Sequence, residues 1–349
     1  MKKIAIFQRN LDYGGIQKSV INLLNNIDYK KYEIDLYLMK KENVFIGDLN
    51  PNVNVYYLKS LPYIFGGVPF PFLKIIYKKQ VQKEYDIAIN FDNYDMSTAI
   101  MALKTKAKEK IIWLHNDMYK EFIDDWKFDV LYFAFQFKFR YFDHFVCVSQ
   151  GVLDSFQKLK PRLKNKKYDV IPNIIDTKEI IKKSREKINL EIDKSKYNLC
   201  TLGRMCVQKG FDILLDDIKK LTELRQDFHL YIMGDGHKRK QLEKQMHRLH
   251  LEEYVTFLGY TKNPYAIMKE MDGFVLTSRY EGQGMVFLEA KCLGLDVVML
   301  KHLEKYIDGV KGTTDVVKCL SKLEKHKKKT DDLKEYNQEI IKKIDKLFK

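Results

Sequence analysis

Short apolar runs of strand length alternate with longer amphipathic stretches, and the series runs twice along the chain. This alternation narrows the fold more than any other feature. A strand that is apolar on both faces needs cover on both faces, and helices crossing between successive parallel strands supply it. In the first series the strands read as residues 3–7, 33–39, 53–58, 87–91, 110–114, 144–149 and 169–171, with helical patterns at 16–25, 71–81, 98–103, 126–141 and 150–159. The second series has strands at 198–202, 229–233, 255–258, 273–276 and 297–300, with helices at 210–222, 238–249, 264–271, 286–293 and 314–323. A length of 349 residues suits two domains of about 150 residues each. The expected architecture is therefore α/β, with two Rossmann-like domains, residues 1–176 and 177–330, facing across a cleft and joined by the polar, lysine-rich stretch 177–196. The last stretch, 331–349, reads as a polar helix with Ile340, Ile341, Ile344 and Leu347 at core-like spacing, placed to pack back on the first domain.

Composition excludes several classes. Hydrophobic residues at 45% with charged residues at 31% describe a globular chain, neither disordered nor membrane-spanning. The longest charge-free apolar stretch, 61–73, is interrupted by Gly66, Gly67, Pro69 and Pro71 and cannot be a spanning helix. The opening apolar run is too short for a signal peptide, so a cytoplasmic location is expected. Five cysteines without paired ligand spacing argue against a disulfide framework or a zinc site. The 62 Lys and Arg against 47 Asp and Glu give a net charge of +15, which draws the protein toward something anionic. The excess is spread over both halves and forms no basic arm. The aromatics fall in strand and helix patterns and not on a basic sheet face, so nucleic acid is not an expected partner.

In open α/β sheets ligands lie beyond the carboxyl ends of the strands, which directs attention to the loops there. The first strand leads into Gly14-Gly15 at a helix start, where backbone amides can hold a phosphate, although a plain tight turn explains the pair as well. The loop Gly203-Arg204-Met205-Cys206-Val207-Gln208-Lys209-Gly210 carries two cations suited to a diphosphate, or is simply a solvated basic turn. Gly234-Asp235-Gly236 follows the next strand; its glycines either let backbone approach a flat base or form an ordinary strand-to-helix turn. The sharpest element is Ser278-Arg279-Tyr280-Glu281-Gly282-Gln283-Gly284-Met285, continuing to Glu289. One glutamate falls in a glycine-containing loop beside the amides of Gly282 to Met285, and the other about one turn into an apolar helix. Carboxylates accept from hydroxyls and amides donate to anionic oxygens, a combination suited to a phosphorylated polyol.

Taken in order, Gly14-Gly15-Ile16-Gln17, residues 170–176 (Val-Ile-Pro-Asn-Ile-Ile-Asp), the Gly203 to Gly210 loop, Gly234-Asp235-Gly236 and the Glu281 to Glu289 segment resemble the retaining glycosyltransferases of the GT-B fold, glycosyltransferase family 4. The resemblance runs to about Val298. It implies a nucleotide sugar donor, UDP- or GDP-linked, held mainly by the second domain, and transfer that retains anomeric configuration without a metal or other cofactor. By the same resemblance Arg204 and Lys209 bind the diphosphate with Gly15 contributing, Glu289 binds the ribose, and Glu281 with Gly282, Gln283, Gly284 and Met285 addresses the donor sugar. Gly234, Tyr260 and Lys262 lie near the base. His115, just past a first-domain strand, matches the family histidine that reaches the donor sugar, and Asp92 is a candidate acceptor contact. The pattern departs after Leu295, where Asp296 stands in place of a proline and the second domain is shortened.

Relatives of this family often work on lipid-linked intermediates of surface polysaccharides. A glycan or lipid-linked glycan acceptor is therefore expected, in surface polysaccharide or cell-envelope glycan assembly. Residues 61–72 followed by Lys74, Lys78 and Lys79 combine aromatics with positive charge, which suits peripheral contact with the anionic inner face of a membrane, or else forms a packed loop and core helix. The alternative to an enzyme is a catalytically silent GT-B accessory subunit that binds glycans.

Overall fold

The computed structural model describes residues 1–12, 14–61, 70–124 and 137–349. Two parallel sheets organise it. The first runs β3-β2-β1-β4-β5-β6-β7, where β1 is Lys2–Gln8, β2 Tyr32–Leu38, β3 Asn54–Tyr57, β4 Tyr85–Asn90, β5 Ala107–Leu114, β6 His144–Cys147 and β7 Lys167–Val170. The second runs β10-β9-β8-β11-β12, where β8 is Tyr197–Leu202, β9 Phe228–Met233, β10 Val255–Gly259, β11 Gly273–Leu276 and β12 Asp296–Met299. Both are doubly wound, as the alternating pattern implied. Ile4 to Phe7, Ile111 to Leu114 and Phe274 to Leu276 are almost wholly buried, which is what central strands covered on both faces require.

The chain divides into two compact units, residues 1–174 with 335–349, and residues 175–334. The division falls between Ile174 and Ile175 and not at 176/177, and the second unit extends to Lys334. The terminal helix Lys334–Leu347 places Ile340, Ile344 and Leu347, followed by Phe348, in the core of the first unit. Its outer turns are tied down as well: Lys31 pairs with Asp345 at 3.3 Å and the Tyr336 hydroxyl donates to the Asn173 carbonyl at 3.3 Å.

Local signals account for the helix starts. Ser149 accepts from the Val152 amide ahead of the helix Gln150–Leu159, and Asp95 accepts from the Thr98 amide ahead of Met96–Lys104. Two expectations are corrected. The stretch 177–196 is not only a linker, because Asp176 caps a helix over Thr177–Lys183 by accepting from the Glu179 amide at 2.9 Å. The helix expected at 71–81 spans Phe70–Ile76; only Phe70 and Leu73 are buried in it, and the following Lys78 and Lys79 are exposed. Residues 62–69 and most of the expected helix 126–141 lie outside the described residues; the remainder, Phe137–Tyr141, is a 3-10 turn.

Candidate functional site

Each sheet reverses its winding direction between two neighbouring central strands, β1 and β4 in the first and β8 and β11 in the second. At such a switch point the loops leaving the two strands diverge and open a crevice. In the second unit those loops are residues 203–210 after β8 and 277–284 after β11, the two segments that the sequence singles out.

The two loops meet through side chains. Lys209 Nζ lies 2.7 Å from Glu281 Oε1, with the two side chains only 17% and 6% exposed. Ser278 Oγ donates to the same carboxylate oxygen at 2.6 Å. Backbone links support the contact: the Arg279 amide donates to the Gln208 carbonyl at 2.7 Å, and Thr277 Oγ1 donates to the Gly210 carbonyl at 3.0 Å. Gly210 adopts a left-handed conformation with φ of 62°, and a Cβ there would lie 2.1 Å from the Thr277 carbonyl oxygen, so only glycine fits. Arg279 closes the arrangement from outside. Its guanidinium donates to both carboxylate oxygens of Asp212, at 2.8 and 2.6 Å, and to the Val207 carbonyl at 2.9 Å. Those bonds hold the Asp212 carboxyl below its ordinary pKa, so Asp212 stays anionic.

Arg204 sits in the same loop, exposed and without a salt bridge to another described residue. One cation of the loop is therefore matched by a carboxylate and the other is open to solvent. Glu289 is buried in the helix Met285–Cys292, and its Oε1 accepts from the Tyr265 hydroxyl at 3.1 Å. Gly282, Gln283 and Gly284 are buried and Met285 is half-buried. Gly234 has φ of 120°, and the space a Cβ would take is filled by the Gly203 carbonyl oxygen at 2.0 Å, so the packing of the two loops requires the glycine. Tyr260 and Lys262 are exposed after β10. Asp296, in the proline position, accepts from the Tyr197 hydroxyl at 2.7 Å and pairs with His326 at 3.0 Å, which ties the start of β12 to β8 and to the stretch after Leu323.

The first unit carries its own constellation at the β1/β4 switch point. Gly15 opens the helix Gly15–Asn25, is exposed, and a Cβ added there would meet nothing within 4 Å. Asp92, just past β4, is buried; desolvation and nearby Asp95 raise its pKa to about 6. Lys138, fully buried, donates to the Asn93 carbonyl, and desolvation lowers its pKa to about 8. His115 follows β5. Its Nε2 donates to the Phe91 carbonyl at 2.9 Å, so the neutral ring carries its proton there and leaves Nδ1 as an acceptor. Nδ1 is buried with no partner among the described residues, and burial lowers the His115 pKa to about 3. The sequence alone assigned no role to Ser278, Tyr265, Asp212, Lys138 or Arg279. The spacing between Lys209 and Glu281, or between Asp212 and Arg279, holds no local pattern, and only the strand order brings them together.

Among the described residues no group of three or more His, Cys, Asp or Glu side chains is placed to hold a metal ion, and no helix is long and apolar enough to cross a membrane.

Comparison with known proteins adds the following. A family model described as Glycosyl transferases group 1 matches residues 182–339, and one described as Glycosyltransferase Family 4 matches residues 13–179. An uncharacterized glycosyltransferase of Methanocaldococcus jannaschii is 26% identical over 243 residues, 66% of this chain and 60% of that protein. The N-acetylgalactosamine-N,N'-diacetylbacillosaminyl-diphospho-undecaprenol 4-alpha-N-acetylgalactosaminyltransferase of Campylobacter jejuni is 28% identical over 311 residues, 86% of this chain and 81% of that protein. Among solved structures, Anabaena HepE in complex with UDP-glucose superposes with a TM-score of 0.66 at 18% identity, over 99% of this chain and 100% of that one. At that identity the likeness is one of fold.

Proposed function

We propose, from the premise that the chain is a glycosyltransferase of the GT-B fold, that it moves a hexose or N-acetylhexosamine from a nucleotide sugar to a lipid-linked glycan acceptor in cell-envelope glycan assembly, with retention of configuration and without a metal. The observation that carries this reading is the junction of Lys209 and Glu281 beside the open Arg204, at the switch point of the second sheet. Lys209 and Arg204 bind the diphosphate, and fixed cations stabilise the charge that grows on it as the glycosidic bond breaks. Glu281 then turns from Lys209 toward the sugar hydroxyls, while Glu289 accepts from the ribose hydroxyls. The acceptor oxygen bonds to the anomeric carbon on the face from which the diphosphate departs, and its proton passes to the departing phosphate oxygen. In the first unit, Gly15 offers the helix N-terminus to an anionic oxygen, neutral His115 accepts from a sugar hydroxyl, and Asp92 addresses the acceptor. UDP is the first donor nucleotide to test, since similar folds have been solved with UDP and UDP-glucose.

A contact with the membrane is part of the same reading. Phe72, Ile75 and Ile76 are 61%, 75% and 49% exposed on the helix Phe70–Ile76, with Lys78 and Lys79 exposed after it. An apolar surface edged by lysines suits the anionic cytoplasmic face of a bilayer, and the Campylobacter relative is named for a diphospho-undecaprenol substrate.

A thermal-shift screen of UDP- and GDP-linked sugars, followed by transfer assays with and without EDTA, tests the proposal. A nucleotide sugar that raises the melting point and is turned over in EDTA supports it. Binding without turnover on any lipid-linked acceptor favours an accessory subunit, and a strict metal requirement overturns the proposed mechanism.

A further inference from the structure

Arg279 lies outside the pair that the proposed function uses, yet it touches both sides of the loop bearing Lys209. On one side it takes the carbonyl of Val207, two residues before the lysine; on the other it takes both oxygens of Asp212, three residues after it. Its own backbone is fixed by the Gln208 carbonyl, and Gln208 Nε2 in turn donates to the Tyr280 carbonyl at 3.2 Å. Two residues further along that backbone stands Glu281. We infer that Arg279 is a positioning residue for the diphosphate site: it braces the 207–212 segment from both flanks and so sets Lys209 against Glu281.

A second consequence follows from charge. Asp212 lies in the first turn of the helix Phe211–Leu221, three residues from Lys209, and without Arg279 it would be an unmatched carboxylate repellent to a diphosphate. Arg279 occupies that carboxylate in a bidentate pair, the geometry that a guanidinium satisfies and an ammonium does not. Arg279 thus removes a repulsion from the incoming anion without touching it.

The inference rests on the diphosphate reading of Lys209, and the test separates the two. UDP binding by calorimetry, kcat, KM for the donor and the melting point are measured for Lys209→Ala, Arg279→Gln, Arg279→Lys, Asp212→Asn and the Arg279→Gln/Asp212→Asn double variant. Arg279→Gln is expected to weaken UDP binding about tenfold or more and to lower kcat/KM further. Arg279→Lys should recover only part of the loss, and the double variant should be no worse than Arg279→Gln, the signature of one shared interaction. Wild-type UDP affinity and kcat/KM in Arg279→Gln, with Lys209→Ala impaired, overturns the inference alone. Losses in the two single variants that add in the double variant also overturn it, as does a lowered melting point with unchanged UDP affinity. Wild-type UDP affinity in Lys209→Ala removes the diphosphate assignment itself.

Discussion

Lys209 and Glu281, far apart in the sequence, form a 2.7 Å ion pair at the adjoining ends of β8 and β11, with Ser278 donating to the same carboxylate oxygen. The pair is mostly buried, so each member fixes the position of the other. The carboxylate holds the cation in place; under the proposed function a bound donor would give that cation a second anion to serve.

Replacing Glu281 therefore separates binding from chemistry. Glu281→Gln keeps an oxygen for Ser278 but releases Lys209, so UDP is expected to bind no more weakly than to the wild type while turnover falls at least about 100-fold. Lys209→Ala is expected to lose both. Calorimetry with UDP beside a transfer assay reads the two effects, and equal loss of UDP binding in Glu281→Gln contradicts the assignment.

Glu289 is expected to discriminate sugars of the nucleotide. It is buried and accepts from Tyr265, and the two oxygens of a carboxylate accept several hydrogen bonds, those of ribose hydroxyls included under the proposed function. Losing a hydrogen bond to a charged group costs about 1.5–3 kcal/mol. Wild type should thus prefer UDP over 2′-deoxy-UDP, and Glu289→Ala should bind the two alike. Retained preference in the variant would place the ribose elsewhere.

At Gly15 the surrounding space is empty, so packing does not explain the glycine. Gly15→Val is expected to leave the melting point within a few degrees of wild type while raising KM for the donor, because the side chain blocks approach to the helix amides. Unchanged KM would assign the glycine to the turn alone.

His115 gives a pH signature. Its pKa falls from the ordinary 6.5 to about 3 because burial penalises the charged ring. The unfolded chain then binds one more proton than the folded chain between those values, so folding stability drops as pH falls below about 6.5. Between pH 7 and pH 5 this group should account for about 2 kcal/mol, and His115→Gln should remove that slope in urea unfolding. The acid limb of the turnover profile should not report His115, which stays neutral above about pH 4.

The exposed apolar edge of the helix Phe70–Ile76 predicts vesicle binding. Cosedimentation with anionic vesicles should be strong at low salt and weaken with added salt. Phe72→Ser with Ile75→Ser should abolish it while leaving the melting point near wild type, since both side chains are already exposed. Binding that survives in the double variant would locate the contact elsewhere.

The fold was readable because buried parallel strands appear as unbroken apolar runs, so Gly273–Leu276 and the helix Gln150–Leu159 stand where the pattern puts them. Thr177–Lys183 was hidden, since a seven-residue helix that buries only Ile180 has too little periodicity to separate from a polar linker, although Asp176 and Glu179 did carry a capping signal. At the candidate site the glycines and charges were visible as motifs, but their partners were not. The packing of Gly234 against Gly203 was hidden because Gly203 belongs to another strand's loop. Arg279 carried no signal of its own for the same reason: its meaning depends on Asp212, which strand order alone brings within reach.

The helix Lys334–Leu347 completes a core begun by Ile4, so the first unit is made from two segments with the whole of the second unit between them in the sequence. Synthesis order then runs against assembly order. The second unit, with the Lys209 and Glu281 junction, has its whole sequence available while the first still lacks a wall, and loss of residues 335–349 would damage the first unit while leaving the sequence of the second intact.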